Sequence, residues 1–450
     1  MNTRTLCTMI SSLLTLQLSL ALRAASPDWI AETELYPHVA ENGAGFGTSI
    51  HVSANEAAIG APFRDAGSSV DEGVVEVWRH GAGGWQFSDE VTLEDPVAGV
   101  AFGFAVAIDG NRLFVGAPFY GAVTGTPESG LVAYFQYFEG QAVPWSGIGG
   151  IGGAEGDHTG WSIALDRGML AIGVPGPCET CGPNSGRAGK ASVSLDFDDG
   201  AAWANLSPTT LIRDGDRYGH SVAVHRSDDG VAPDLAVVGA PFHDSGAEIS
   251  GAAYVFANET HAVDGWHQVA TLAAPTPGAQ EMFGLSVAIG ADRVLVGAPG
   301  RDAGGTTDAG SVFVYVPDGA GGWQQQAELF LSGASIGDRF GTAVAYDAQH
   351  GWLVGGAPDR VTTVFGGTGQ TGVAAVFRYD TSVSHWFETA ELFSHDLLSI
   401  GQYAGAALAI ANGRVYVGAP NYDANPNNGI SDSGRVLVFA PDEIFDDDFE

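Results

Sequence analysis

Residues 283–299 read FGLSVAIGADRVLVGAP. An aromatic–glycine pair, Phe283-Gly284, opens the stretch, and the small and apolar residues 286–289 follow. Gly290, Ala291 and Asp292 then supply a tight turn, and an apolar run beginning at Val294 ends in Gly297-Ala298-Pro299. Two short apolar runs around a Gly/Asp turn predict a β-hairpin. The proline closes the second strand because it has no N–H to give to a ladder. The pattern recurs seven times, at 46–62, 102–118, 159–175, 218–241, 283–299, 340–358 and, degenerate, 404–420. The openings are Phe46, Phe102, Thr159, Tyr218, Phe283, Phe340 and Ala404, so successive copies begin 56 to 65 residues apart. Such a fixed period marks a repeat architecture in which each unit is one supersecondary element.

Two more strands fit between consecutive copies. Residues 310–316 alternate in the manner of a half-buried strand, 318–322 form an Asp/Gly-rich turn, and 323–329 open with Trp323 and are half polar. The first strand of a unit carries Ala, Ser and Val, the second is apolar on both faces, and the fourth meets water. That gradient is expected of a blade running from a crowded axis to solvent. Seven four-stranded units predict an all-β, seven-bladed β-propeller. Residues 29–35 match a fourth strand, and the last unit stops after a third strand at 434–439. The N-terminal strand is therefore expected to complete the last blade and close the ring. Trp29, Trp85, Trp145, Trp203, Trp266, Trp323 and Trp386 supply one fourth-strand tryptophan per blade. One region fits poorly: residues 145–153, assigned to blade three, are Gly-rich and unlike a strand.

These units resemble FG-GAP repeats, as found in the N-terminal propeller of integrin α subunits and in bacterial secreted proteins. Gly337-Asp338-Arg339-Phe340-Gly341 and Gly215-Asp216-Arg217-Tyr218-Gly219 match the G-D-x-F-G opening of the bacterial form. The resemblance spans residues 29–440. It implies an exported propeller, bacterial in origin, with a role in binding or adhesion.

Other features agree with export. Residues 1–25 read as a signal peptide: Arg4, then an apolar stretch over 9–22, then small Ala24, Ala25 and Ser26. No other stretch approaches the roughly 18 apolar residues of a spanning helix, so a mature chain over 26–441 is expected to be soluble, without a transmembrane segment, and monomeric. It would sit outside the cell, in the periplasm or on the cell surface. Residues 442–450 read as an acidic, solvated tail. Cys178 and Cys181 form a lone Cys-x-x-Cys pair in a Gly/Pro-rich loop. Structural zinc needs a second pair and a thioredoxin-like site needs a βαβ unit, so a loop-closing disulfide is expected.

A net charge of −35 excludes nucleic acid as a partner. It suits solubility, cations or basic partners. Gly160-Trp161-Ser162, Gly219-His220-Ser221 and Gly284-Leu285-Ser286 look like halves of a nucleophile elbow, but no helix follows them. Ala105, Ala343 and Ala407 fill the same slot in other blades, which suggests that the slot needs small size and not a hydroxyl. No catalytic residue is assigned. In integrin-like repeats the first hairpin turn carries calcium ligands. Here only blade four has a long turn, where Ser227, Asp229 and Asp234 fall at ligand positions and His225 replaces the first Asp. The turn admits Ca2+ or an acidic solvent-exposed hairpin. Asp65, Asp244, Asp302 and Asp423 each stand three residues after the closing proline. They either bond loop backbone or line a binding rim. Asp157, Asp216 and Asp338, two residues before an opening, are expected to stabilise turns. Two functions follow: a non-catalytic binding or structural propeller that offers its rim to a protein or glycan, or a hydrolase or lyase with a central pocket. The apolar inner strands favour the first.

Overall fold

The computed structural model describes residues 29–442, apart from 67–68, 96, 122–127, 142, 177–187, 196, 198–201, 211, 365–366, 395–400 and 424–430. The expected signal peptide, the Cys178–Cys181 disulfide and the acidic tail beyond residue 442 lie outside the described residues. Seven four-stranded antiparallel sheets stand around one axis. The innermost strands are Ser49–Ser53, Ala105–Asp109, Ser162–Asp166, Ser221–His225, Ser286–Ile289, Val344–Asp347 and Ala407–Ala411. Each packs against the next around the ring, and the last returns to the first. In blade five the strands Ser286–Ile289 and Trp323–Leu329 fall where the local pattern puts them.

A contact between glycines sets how closely neighbouring blades approach. A Cβ on the glycine of Gly-Ala-Pro would collide with the carbonyl oxygen of the next blade's aromatic–glycine pair. It would stand 2.0 Å from Gly103 O if placed on Gly60, and 2.0 Å from Gly341 O if placed on Gly297. Only glycine lets the backbones meet at this distance. Four of the small inner-strand residues use the same carbonyl. Ser49 Oγ donates to Gly103 O (2.7 Å), Ser162 to Gly219 O (3.0 Å), Ser221 to Gly284 O (2.8 Å) and Ser286 to Gly341 O (2.8 Å). The hydroxyl therefore has a role that size alone does not cover: it ties one blade to the next.

The ring closes as the chain ends require. Trp29–Leu35 pairs antiparallel with Arg435–Pro441, from Trp29 opposite Pro441 to Leu35 opposite Val436. Glu34 accepts from the buried Arg435 at 2.9 Å, and Trp29 packs edge-on against Trp352 of blade six at 4.8 Å. Phe46 of blade one forms a parallel bridge to Gly434 of blade seven. Bridges of the same kind join Gly130 to Thr159, Gly251 to Phe283 and Gly310 to Phe340.

The fourth strands correct one expectation. The Gly-rich Trp145–Gly152 is a full strand, and it belongs to the second sheet, paired with Leu131–Tyr137. Ladder pairing and the burial of Trp145 against Tyr137 (5.3 Å) overcome the weak propensity of its glycines. In the third blade the fourth strand is Trp203–Asn205, which pairs over only three residues.

Candidate ligand-binding face

Antiparallel order within each blade places the loop after the second strand and the connection into the first strand on one face of the disc. The residues flanking each opening pair and each closing proline therefore gather around one mouth of the axis. In blades two to four the residue after the opening glycine is aromatic, and in blades two and four so is the residue after the closing proline. Phe104 and Trp161 follow the glycine of the opening pair, and their rings lie 4.8 Å apart. Phe119, after the closing proline of blade two, meets Phe104 at 6.2 Å and Trp161 at 6.3 Å, both edge to face. Trp161 meets His220 at 5.6 Å, His220 meets Phe242 at 6.5 Å, and the Arg217 guanidinium lies 4.8 Å over the Phe242 ring. The five rings form a half-buried arc.

His158 lies beneath the arc. It is 4% exposed, with its ring 5.6 Å from Phe119 and 6.0 Å from Trp161. Among the described residues neither of its ring nitrogens has a hydrogen-bond partner, nor has Nδ1 of His220, and all three atoms are closed to solvent. Glu128 stands 3.6 Å from His158 Nε2, beyond hydrogen-bond range. Burial lowers the basicity of both imidazoles. For His220, burial and then the charge of Arg217 push the pKa down to about 4. A cleft of about 380 Å3 opens on the same side of blade three, where the short strand Trp203–Asn205 ends. Lys190, Leu206, Ile212 and Tyr218 line it; Lys190 reaches to 3.6 Å from Asp157, and the Tyr218 hydroxyl donates to Leu206 O at 2.6 Å.

The rest of the mouth is built differently. Arg360 donates to Asp338 (2.6 Å) and Glu391 (3.1 Å), and Arg301 to Glu281 and Glu328 (3.0 Å for the latter). Arg435 joins Glu34 and Gln402 and lies 3.8 Å over Tyr422. In blade one Arg64 reaches Glu90 (2.7 Å) and Glu76 (3.5 Å). Desolvation raises the Glu76 carboxyl to about 7 despite the His38 amide and Arg64.

The four rim aspartates share one local role. Asp65 accepts the amide of Asp71 (2.9 Å), Asp244 that of Ile249 (2.9 Å), Asp302 that of Asp308 (3.0 Å) and Asp423 that of Asp432 (3.0 Å). Each receiving residue has a left-handed φ, between 49° and 54°. The carboxylate thus pins a strained loop residue. Asp157, Asp216 and Asp338 cap the amides of Ala154, Arg213 and Ser335, as expected of turn residues.

The blade-four turn lies on the opposite face. Asp229 Oδ1 accepts from the Ser227 hydroxyl and from the amides of Val231 and Ala232 at 2.8 to 2.9 Å. These bonds hold its pKa down near 2. Asp234 is buried, with Oδ1 on the Ser227 amide (2.9 Å) and Oδ2 on His261 Nδ1 (2.9 Å). Both carboxylates have partners within the hairpin. Among the described residues no three His, Cys, Asp or Glu side chains are grouped to hold a metal ion.

The model of the FG-GAP repeat family matches residues 266–315, which run from the end of blade four through the third strand of blade five and contain the 283–299 hairpin. The chain contains an FG-GAP repeat, and its seven-bladed propeller fits that family. No curated protein matches it significantly. Among the described residues, no helix of this FG-GAP propeller is long and apolar enough to cross a membrane. Its aromatic arc was missed in the sequence because its members lie in different repeats. The available signal was one of position: the residue after the opening pair, and the residue after the closing proline.

Proposed function

We propose that this FG-GAP propeller is an exported, non-catalytic binding protein that presents its loop-bearing face to a protein or glycan, with adhesion as its setting. The observation that carries the reading is the arc of Phe104, Phe119, Trp161, His220 and Phe242, which is confined to one side of the mouth. A partly exposed aromatic surface is a common make-up of a ligand site. The titratable residues of the inner strands, among them His225 and Asp166 at 3.6 Å from each other, stand at the strand ends away from this mouth. The test is binding by immobilised full-length protein to surface proteins and glycans, with Trp161→Ala against Thr342→Ala, the equivalent position in blade six. Loss confined to Trp161→Ala supports the reading. Equal binding by both variants, or turnover of an ester, glycoside or phosphoester substrate, overturns it. Export is tested by fusing residues 1–25 to a reporter, which should appear outside the cytoplasm.

A further inference from the structure

We propose that the outer edge of blade two is a self-association surface, on which Trp145–Gly152 pairs antiparallel with the same strand of a second copy of this chain. A weak symmetric dimer then replaces the monomer expected from the sequence. The inference is independent of the aromatic arc.

Each fourth strand is the free edge of its sheet. The outward N–H and C=O groups of such an edge are a template for another strand, and proteins commonly blunt them with charged residues or proline. Four of the longer fourth strands carry carboxylates. Glu32 and Glu34 lie in Trp29–Leu35, Asp89 and Glu90 in Gly84–Val91, Glu328 in Trp323–Leu329, and Glu388 and Glu391 in His385–Leu392. A fifth, His267–Leu272, opens on the exposed His267. Trp145–Gly152 has no charge and no proline, although the chain as a whole carries −35. No ionisable residue occurs between Glu139 and Glu155. Gly147, Ile148, Gly149, Gly150 and Gly152 are all exposed.

The order of residues along this edge selects its occupant. Gly147-Ile148-Gly149-Gly150-Ile151-Gly152 reads the same in both directions. Antiparallel pairing about a two-fold axis between Gly149 and Gly150 sets Ile148 opposite Ile151 of the second copy, and Gly147 opposite Gly152. The symmetry repeats both pairs in the other half of the contact, so the edge is complementary to itself. Apolar β-branched pairs across antiparallel strands are favourable, and like charges directly opposite are not. Self-pairing of a carboxylate-bearing edge brings its like charges together. This edge brings none.

The local backbone agrees. Glycines within a strand mark places where another backbone can approach closely. The bulge found in all the longer fourth strands falls here at Ile148, which the ladder with Leu131–Tyr137 passes over. Its side chain is 49% exposed, and Ile151 of the second copy would cover it. One strand edge is small beside the roughly 800 Å2 per partner of a standard stable interface, which makes the dimer weak.

The experiment is sedimentation of the full-length protein over a wide range of concentration, at low and high salt. A reversible dimer is expected. It should tighten with salt, which screens the repulsion between two chains of net charge −35. Two double variants then test the register. Gly147 and Gly152 accept side chains, because neither has a left-handed φ. Among the described residues a Cβ on Gly147 meets nothing nearer than 3.6 Å, and one on Gly152 nothing within 4 Å. Gly147→Lys/Gly152→Lys sets lysine opposite lysine in both halves and should weaken the dimer about tenfold, even though it lowers the overall repulsion. Gly147→Lys/Gly152→Glu sets lysine opposite glutamate and should pair at least as tightly as wild type. It carries the same lysine at 147, and so controls for a folding defect. A monomer at every concentration overturns the proposal. So does a dimer that weakens with salt, or one that responds equally, or not at all, to the two variants.

Discussion

After the opening aromatic–glycine pair, blades two, three and four carry Phe104, Trp161 and His220, and blades five, six and seven carry Leu285, Thr342 and Ala406. Two residues after the closing proline, the order reverses. Blades five, six and one place Arg301, Arg360 and Arg64 there, each clamped between two carboxylates, and blades two and four have Tyr120 and His243. The backbone frame is the same throughout. One side of the mouth ends in buried ion pairs and the other in half-buried rings. Ion pairs hold neighbouring loops to one another, whereas half-buried rings leave apolar surface open. A repeat protein can divide these tasks because each blade contacts only its neighbours.

The largest effect should come from the closure, which belongs to the clamped side. Deleting residues 29–35 removes the pairing from Trp29 to Leu35 and leaves Arg435 without Glu34. The expected outcome in calorimetry is a lower and less cooperative melting transition, exceeding that of any point variant below. Unchanged melting would refute closure by this strand.

Next come single residues on the two sides. Arg360→Ala leaves the buried Asp338 and the half-buried Glu391 unpaired, and breaking a buried pair costs about 3–5 kcal/mol. Trp161→Ala should cost less stability and more binding. Chemical denaturation of both variants checks the order, and its reversal would break the comparison.

The two sides should also differ in pH dependence. Glu76 is raised from 4.5 to about 7, so its favourable contribution is complete below pH 4.5 and disappears as pH rises through 7. At about 1.4 kcal/mol per unit this amounts to about 3 kcal/mol. His220 is lowered from 6.5 to about 4, so its contribution is complete above pH 6.5 and is lost as pH falls through 4. Glu76→Gln should therefore flatten the alkaline side of a stability profile measured from pH 4 to 8, and His220→Gln the acid side. Slopes of the same sign would contradict the assignment.

The smallest effects concern local bonds. Ser286→Ala removes the hydrogen bond to Gly341 O and should cost about 1 kcal/mol. Calcium added to chelated protein tests the blade-four turn by thermal shift. With Asp229 and Asp234 bonded within the hairpin, no shift is expected, and a shift abolished by Asp229→Ala would place the ion there.

How much of this was legible depended on the range of the interaction that decides each feature. The strands of blade five follow from alternation and turn residues within the hairpin, so local sequence sufficed. The closure was legible because a stray fourth strand and a missing one are both visible in the repeat. The Ser286 bond was not, because its acceptor lies 55 residues away in the next blade. The glycines of Trp145–Gly152 misled because a ladder with Leu131–Tyr137 supplies the order their own propensities lack.

By itself the sequence determined the unit and its number, since hydrophobic period and turn chemistry act over a few residues and repeat seven times. Only the tertiary structure decided which side of the mouth is aromatic. Phe104, Trp161 and His220 are separated by more than fifty residues at each step, and only circular packing brings their rings together. It also decided that His158 is buried, because burial is a property of the assembled ring.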